Sequence, residues 1–90
     1  MFGLGGMAQW KQWNNDPNQH EFIRLLIAEA DGTSFAGATN FICRQDWRAK
    51  EIRNRIIHAL RAVKQIAEPA VYNNAKEIGR RLTLDSYRLD

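Results

Sequence analysis

The sequence predicts a small all-α domain of two to three helices, and three features of its 90 residues indicate this. Apolar residues recur at steps of three and four between positions 49 and 66, which places them on one side of a helix at about 100° per residue. Asp16 and Pro17 are a helix cap and a favoured first helical residue. Pro69 suits the first turn of a further helix and interrupts a helix that precedes it. We therefore expect helices at about 16–31, 41–68 and 69–82.

The first predicted helix, 16–31, has a signal at each end. Asp16 can cap its start, and Gln19 stands three residues later, where the partner in a capping box belongs. Gly32 is the expected stop, because glycine readily takes the left-handed conformation that ends many helices.

The stretch after this helix has two interpretations. Residues 32–40 are mostly small and indicate a connecting loop. Alternatively, 22–28 and 34–43 pair as a β-hairpin that turns at Asp31-Gly32, a dipeptide frequent in such turns. The leucine, alanine and glutamate residues of the first segment favour the helix.

The second and third predicted helices meet at Pro69. The second begins either after Asn40 or at Asp46, and it continues to about Glu68. The third carries an apolar face made of Val71, Ala75, Ile78 and Leu82. The sequence leaves open whether Pro69 breaks or only kinks a long helix, and residues 83–90 fit a short extended segment as well as a frayed helix end.

The predicted domain organisation is an N-terminal arm, 1–15, followed by a single helical domain, 16–90. Three glycines in the first six positions make the arm costly to order, so we expect it to be flexible. Its apolar content is large for a solvated tail and consists mainly of Phe2, Leu4, Trp10 and Trp13. Either the tryptophans fold back on the domain as part of a small core, or the arm docks on a neighbouring subunit.

Self-association is expected from the size of the domain and from its first helix. A domain this small buries little apolar surface, and one cysteine cannot close an internal disulfide. The helix 16–31 is apolar on more than one side, so either the rest of the chain wraps it or a second copy covers part of it. The residues predicted to contact a second copy are Phe22, Leu25, Leu26 and Ile27.

Positive charge is concentrated in residues 44–64, which hold seven Lys or Arg and only two acidic residues. Helical spacing gathers part of this segment into one strip, here called the basic strip, made of Lys50, Arg53, Ile57, Arg61 and Lys64. The strip is a solvated helix face, a contact for an acidic protein surface, or a contact for nucleic acid. Ile57 among cations favours the protein contact.

The sequence offers no catalytic or cofactor-binding constellation. Cys43, His20 and His58 belong to no nucleophile motif, and Cys43 most simply fills a buried apolar position. No cysteine and histidine residues have zinc-ligand spacing, and the N-terminal glycines precede no strand that could form a phosphate-binding loop. We therefore predict that the protein is not an enzyme and uses no cofactor or metal.

The opening residues MFGLGG lack the basic start and apolar core of a secretory signal, and no stretch approaches the roughly 20 apolar residues of a membrane span. We expect a cytoplasmic or virion protein that is not secreted by a signal peptide. The preferred hypothesis is a non-enzymatic helical assembly protein that acts through self-association or docks on a larger assembly, such as a virion structural or connector component. The alternatives are a basic helical nucleic-acid-binding protein and a small inhibitor of a host protein.

Overall fold

The computed structural model describes residues 13–90, which contain four complete α-helices and one 3₁₀ turn. The elements are α1 (Pro17–Ala30), α2 (Gly37–Cys43), α3 (Ala49–Ile66), α4 (Pro69–Ser86) and the 3₁₀ turn Tyr87–Leu89. The all-α fold class is confirmed. No residue between 13 and 90 lies in a strand, so the β-hairpin alternative is wrong.

The start of α1 confirms the predicted cap. The Asp16 carboxylate accepts a hydrogen bond from the backbone N–H of Asn18 at 2.9 Å, and Pro17 occupies the first turn. Gln19 does not complete a capping box. Its side-chain amide is buried and instead donates to the backbone carbonyl of Arg55 in α3, at 3.1 Å.

The end of α1 is closed at Gly32, as predicted. Gly32 has a φ of 85°, in the left-handed region. Its N–H donates to the carbonyl of Glu29, and the N–H of Thr33 donates to the carbonyl of Ala28. These two bonds form a Schellman motif, which satisfies carbonyls that the end of a helix would leave without partners.

A tight connection joins α1 to α2. Ala36 has a left-handed φ of 57°, and α2 starts directly after it. Because no side chain of the preceding residue caps α2, the Glu29 carboxylate does so, accepting from the N–H of Ala38 at 3.0 Å. The predicted loop at 32–40 is therefore shorter than expected. It leaves Phe35 almost wholly exposed.

Of the two predicted starts of the second helix, the one after Asn40 is wrong, because α2 and α3 are separate helices, and the one at Asp46 lies three residues before the observed start at Ala49. Residues 44–48 leave the helical conformation between α2 and α3. This break lets Trp47 turn towards the rings of Phe22 and Phe41, whose centroids lie 6.1 and 5.9 Å from its own. Aromatic packing stabilises the break.

Pro69 breaks the chain between α3 and α4 rather than kinking one helix. Ala67 and Glu68 are both extended, which is the conformation that a following proline favours. α4 then continues past its predicted end at 82, because Ser86 is buried against the domain. The chain closes with the 3₁₀ turn, so the tail is not an extended segment.

The long helices α1, α3 and α4 surround one apolar core. Its largest fully buried side chains are Phe22, Leu26, Ile56 and Val63. Gly79 brings α4 close to α3, because a Cβ atom there would lie 3.0 Å from Leu60 and 3.1 Å from Ile56. The two helices therefore pack closely against each other at Gly79. No helix within residues 13–90 is long and apolar enough to cross a bilayer.

Candidate functional site

The basic strip lies along the solvent side of α3. Lys50, Arg61 and Lys64 are exposed, and Ile57 is 50% exposed. None of these three cations forms an ion pair with another residue of the segment 13–90. Their charges are therefore free to attract an anionic partner.

Arg53, the remaining cation of the strip, is held by the end of the chain. Its guanidinium donates to the Ser86 hydroxyl and to the Asp90 carboxylate, both at 3.2 Å. It also lies 4.1 Å from the centroid of the Tyr87 ring. Arg53 therefore fastens α3 to the end of α4, and Asp90 neutralises part of its charge.

Two cations of α4 lie, by helical spacing, on the same side of that helix as Tyr87. Lys76 and Arg80 are one helical turn apart, and Tyr87, which contacts Arg53, follows Arg80 by a further two turns. Both cations are exposed. The Lys76 ammonium lies 5.0 Å from the Tyr72 ring centroid, and Arg80 donates to Glu77 at 3.0 Å. The basic strip together with Lys76 and Arg80 is called the cationic face below.

Arg55 belongs to the same basic segment but is only 5% exposed. Its guanidinium lies 4.1 Å from the ring centroid of Trp47 and 5.0 Å from that of Trp13. It pairs with the carboxylates of Asp16 and Glu51, each at 2.9 Å. Arg55 is therefore a structural cation that joins α3 to the start of α1, and it cannot contact a polyanion.

The arm prediction is tested only at Trp13, since Phe2, Leu4 and Trp10 lie outside the described residues. Trp13 is 6% exposed and has an edge-on contact with the His58 ring, at 5.0 Å between centroids. Of the two interpretations offered for the tryptophans, the structure supports the first at Trp13, and it corrects the assignment of this residue as a contact for another subunit. Trp13 folds back on the domain, because Arg55 and His58 offer it a polarised surface on which to pack.

The predicted self-association residues divide into two pairs. Phe22 and Leu26 are fully buried in the core of the single chain, which corrects their assignment to a contact between copies. Leu25 and Ile27 are partly buried and pack against that core. The chain itself wraps most of α1, so the helix no longer requires a second copy to cover it.

The structure brings together two of the three possible catalytic residues: His20 and His58 line one cavity, whereas Cys43 lines a different one. Cys43 is exposed, which corrects its predicted buried position. Burial, followed by the charge of Arg61, lowers the pKa of His58 below its ordinary value, so its imidazole is mainly neutral at pH 7. Within residues 13–90, no three His, Cys, Asp or Glu side chains are grouped in a way that could hold a metal ion.

Two features around α2 have no counterpart in the sequence predictions. One is Phe35, which is 98% exposed. The other is a groove of about 460 Å³ between α2, the start of α3 and the end of α4. Thr39 lines this groove and also a shallow cavity beside Phe35. The groove draws its walls from distant parts of the chain, so no local pattern in the sequence could have indicated it.

Comparison with protein-family models, with curated protein sequences and with solved structures finds no match for this chain.

Proposed function

We propose that the chain is a non-enzymatic interaction protein that docks on an acidic surface of a partner protein through the cationic face. The observation that supports this proposal most directly is the position of Ile57. It is half-exposed, and the residues four and seven positions before and after it are all basic: Lys50, Arg53, Arg61 and Lys64. An apolar centre within a charged rim is the common arrangement of protein interfaces.

α4 repeats this arrangement on the neighbouring surface. Leu84 is 57% exposed, and Arg80 and Arg88 lie one turn before and after it. Two exposed aliphatic side chains among cations favour a protein partner, because burial of apolar surface adds to affinity there. A phosphate backbone offers little apolar surface in return.

The state of the arginines also favours protein over nucleic acid. Binding to nucleic acid depends on many cations that neutralise phosphates. Arg55 is buried in the domain, and Arg53 already pairs with Asp90. A protein partner needs fewer free charges, since a few central contacts carry most of the binding energy.

Two biological roles are compatible with a surface that docks on an acidic partner. The protein is either a component that docks on a larger assembly, such as a virion or its connector, or an inhibitor that covers an acidic surface of a host protein. We prefer the assembly role, which is the broader class. Docking through the cationic face replaces the predicted contact through α1, since Phe22 and Leu26 are buried.

The test compares five single variants with two probes. The variants are Lys50→Gln, Arg53→Gln, Ile57→Ala, Arg61→Gln and Lys64→Gln, and Arg44→Gln is an exposed basic control outside the face. The probes are an acidic amphipathic helical peptide with a central leucine and a mixed-sequence DNA duplex, each titrated over a series of salt concentrations.

The proposal predicts that the peptide binds and that Ile57→Ala weakens it most, by about tenfold or more, as expected for a central contact. The opposite outcome is preferential binding to the duplex, with a similar loss of affinity for all four cation variants. The salt slope would then fall by about one for each phosphate that a variant no longer neutralises. That result would select the nucleic-acid hypothesis. Equal binding by all five variants and the control would mean that the face is only solvated.

A further inference from the structure

The loop between α1 and α2 presents Phe35 to solvent in a fixed position. The hydroxyl of Thr33 donates to the Asp31 carboxylate at 2.7 Å and also lies 3.2 Å from the carbonyl oxygen of Ala28. Ala36, directly after Phe35, is held in the left-handed region, which costs conformational energy in a residue other than glycine. A phenylalanine that is 98% exposed on such a constrained loop is preorganised for contact with another surface.

The groove beside α2 can receive such a side chain. Its volume is about 460 Å³, and Ile42, Leu82 and Leu89 contribute apolar walls. Thr39 lines both this groove and the cavity beside Phe35, so the cavity next to the projecting ring adjoins the receiving groove. A two-fold symmetric dimer requires a self-complementary face of this kind, in which each copy offers both parts.

Each copy also offers both members of a pair of opposite charges near the ring and the groove. Arg81 lines the cavity beside Phe35, where its exposed guanidinium also lies 3.6 Å from the Glu29 carboxylate of its own chain, and Asp85 lines the groove. Asp85 forms no ion pair with any residue from 13 to 90. When Phe35 of one copy enters the groove of the other, Arg81 of each copy approaches Asp85 of the other. The cationic face, in contrast, would repel a second copy of itself.

We propose that two copies of this chain form a two-fold dimer in which Phe35 of each copy occupies the groove of the other. This association goes beyond the proposed docking function and uses other residues, because no residue of the cationic face lines the groove or the cavity beside Phe35. It also transfers the predicted self-association from the apolar residues of α1 to the surface around α2.

The first experiment measures the mass of the full chain by analytical ultracentrifugation from low micromolar to millimolar concentration. We expect a mass that rises to twice that of one chain. Phe35→Ser should raise the dimer Kd by about tenfold or more, because it removes the central contact of each half of the interface. Ile66→Ser is the matched control, since Ile66 is also exposed, at 68%, but lines neither the groove nor the cavity.

A parent protein that stays monomeric at millimolar concentration would overturn the proposal. So would a Phe35→Ser variant with the Kd of the parent or of the control. Because Phe35 is almost wholly exposed in its own chain, the variant should keep the thermal midpoint of the parent, and a change in mass then reports on association alone.

A charge exchange tests the arrangement of the two copies. Arg81→Asp and Asp85→Arg should each raise the dimer Kd about tenfold, since like charges then meet across the interface. The double variant should return the Kd to within about threefold of the parent value. Failure of the double variant to recover association would contradict this geometry. Cys43, which lines the groove, gives a second readout, because its reaction with a thiol reagent should slow as dimer forms.

Discussion

At the scale of single residues, the clearest contribution to stability comes from the buried guanidinium of Arg55. It pairs with Asp16 and Glu51 and lies between two indole rings. Arg55→Ala would leave the two carboxylates without their cation. We expect the free energy of unfolding to fall by about 3–5 kcal/mol, as for other broken buried ion pairs.

Urea unfolding measures this change, and Lys50→Ala in the same helix is the matched control. Lys50 is exposed, so its removal should cost less than about 0.5 kcal/mol. Equal changes for the two variants would mean that the cluster around Arg55 contributes nothing beyond an ordinary surface charge.

At the scale of helices, the fold depends on well-defined helix termini as much as on apolar helix faces. Gly32 closes α1 in the left-handed region, with no atom within 4 Å of the position that a Cβ would take. Gly32→Ala therefore tests backbone strain without any steric clash, and it should lower the free energy of unfolding by about 1–2 kcal/mol.

Thermal and urea unfolding check this value, with Gly32→Asn as the comparison. Asparagine tolerates the left-handed region better than alanine, so it should recover part of the stability. An alanine variant as stable as the parent would show that the end of α1 carries no strain and that the Schellman closure is dispensable.

At the scale of the whole molecule, stability should fall as the pH is lowered, in two stages. The first comes from His58, whose pKa in the folded protein is lowered by burial and then by Arg61. Below the ordinary value of 6.5, the unfolded chain binds a proton that the folded chain resists, so acidification favours unfolding.

The second stage comes from Asp16. Burial raises the pKa of its carboxyl, but hydrogen bonds from Asn18 and Arg55, together with the Arg55 charge, outweigh burial and hold the pKa below the ordinary value of 3.8. This stabilisation is complete above that value and disappears as the pH falls through the folded pKa.

Urea midpoints measured from pH 8 to pH 3 test both stages. His58→Gln should flatten the decline that begins near pH 6.5, and Asp16→Asn should flatten the one that begins near 3.8. A parent midpoint that is constant across this range would contradict the assignment of both groups.

How much of the molecule the sequence predicts depends on the distance over which each cause acts. The caps and stops at Asp16, Gly32 and Pro69 operate within a few residues, so the ends of α1 and the start of α4 could be placed correctly. The exposure of Lys50, Ile57, Arg61 and Lys64 also follows from helical spacing alone. These rules are local, and the local sequence contains all that they require.

Tertiary structure decided what depends on residues far apart in the chain. Trp47 packs on Phe22 in the break that separates α2 from α3, and Arg55 is withdrawn from the basic surface by side chains 36 and 39 residues away. The groove beside α2 likewise joins residues from Thr39 to Leu89. The sequence by itself determined the helical class, the ends of α1 and the positive surface of α3. Which apolar and charged groups were buried, and which grooves opened, was decided only when the helices packed, because burial depends on neighbours that helical periodicity does not identify.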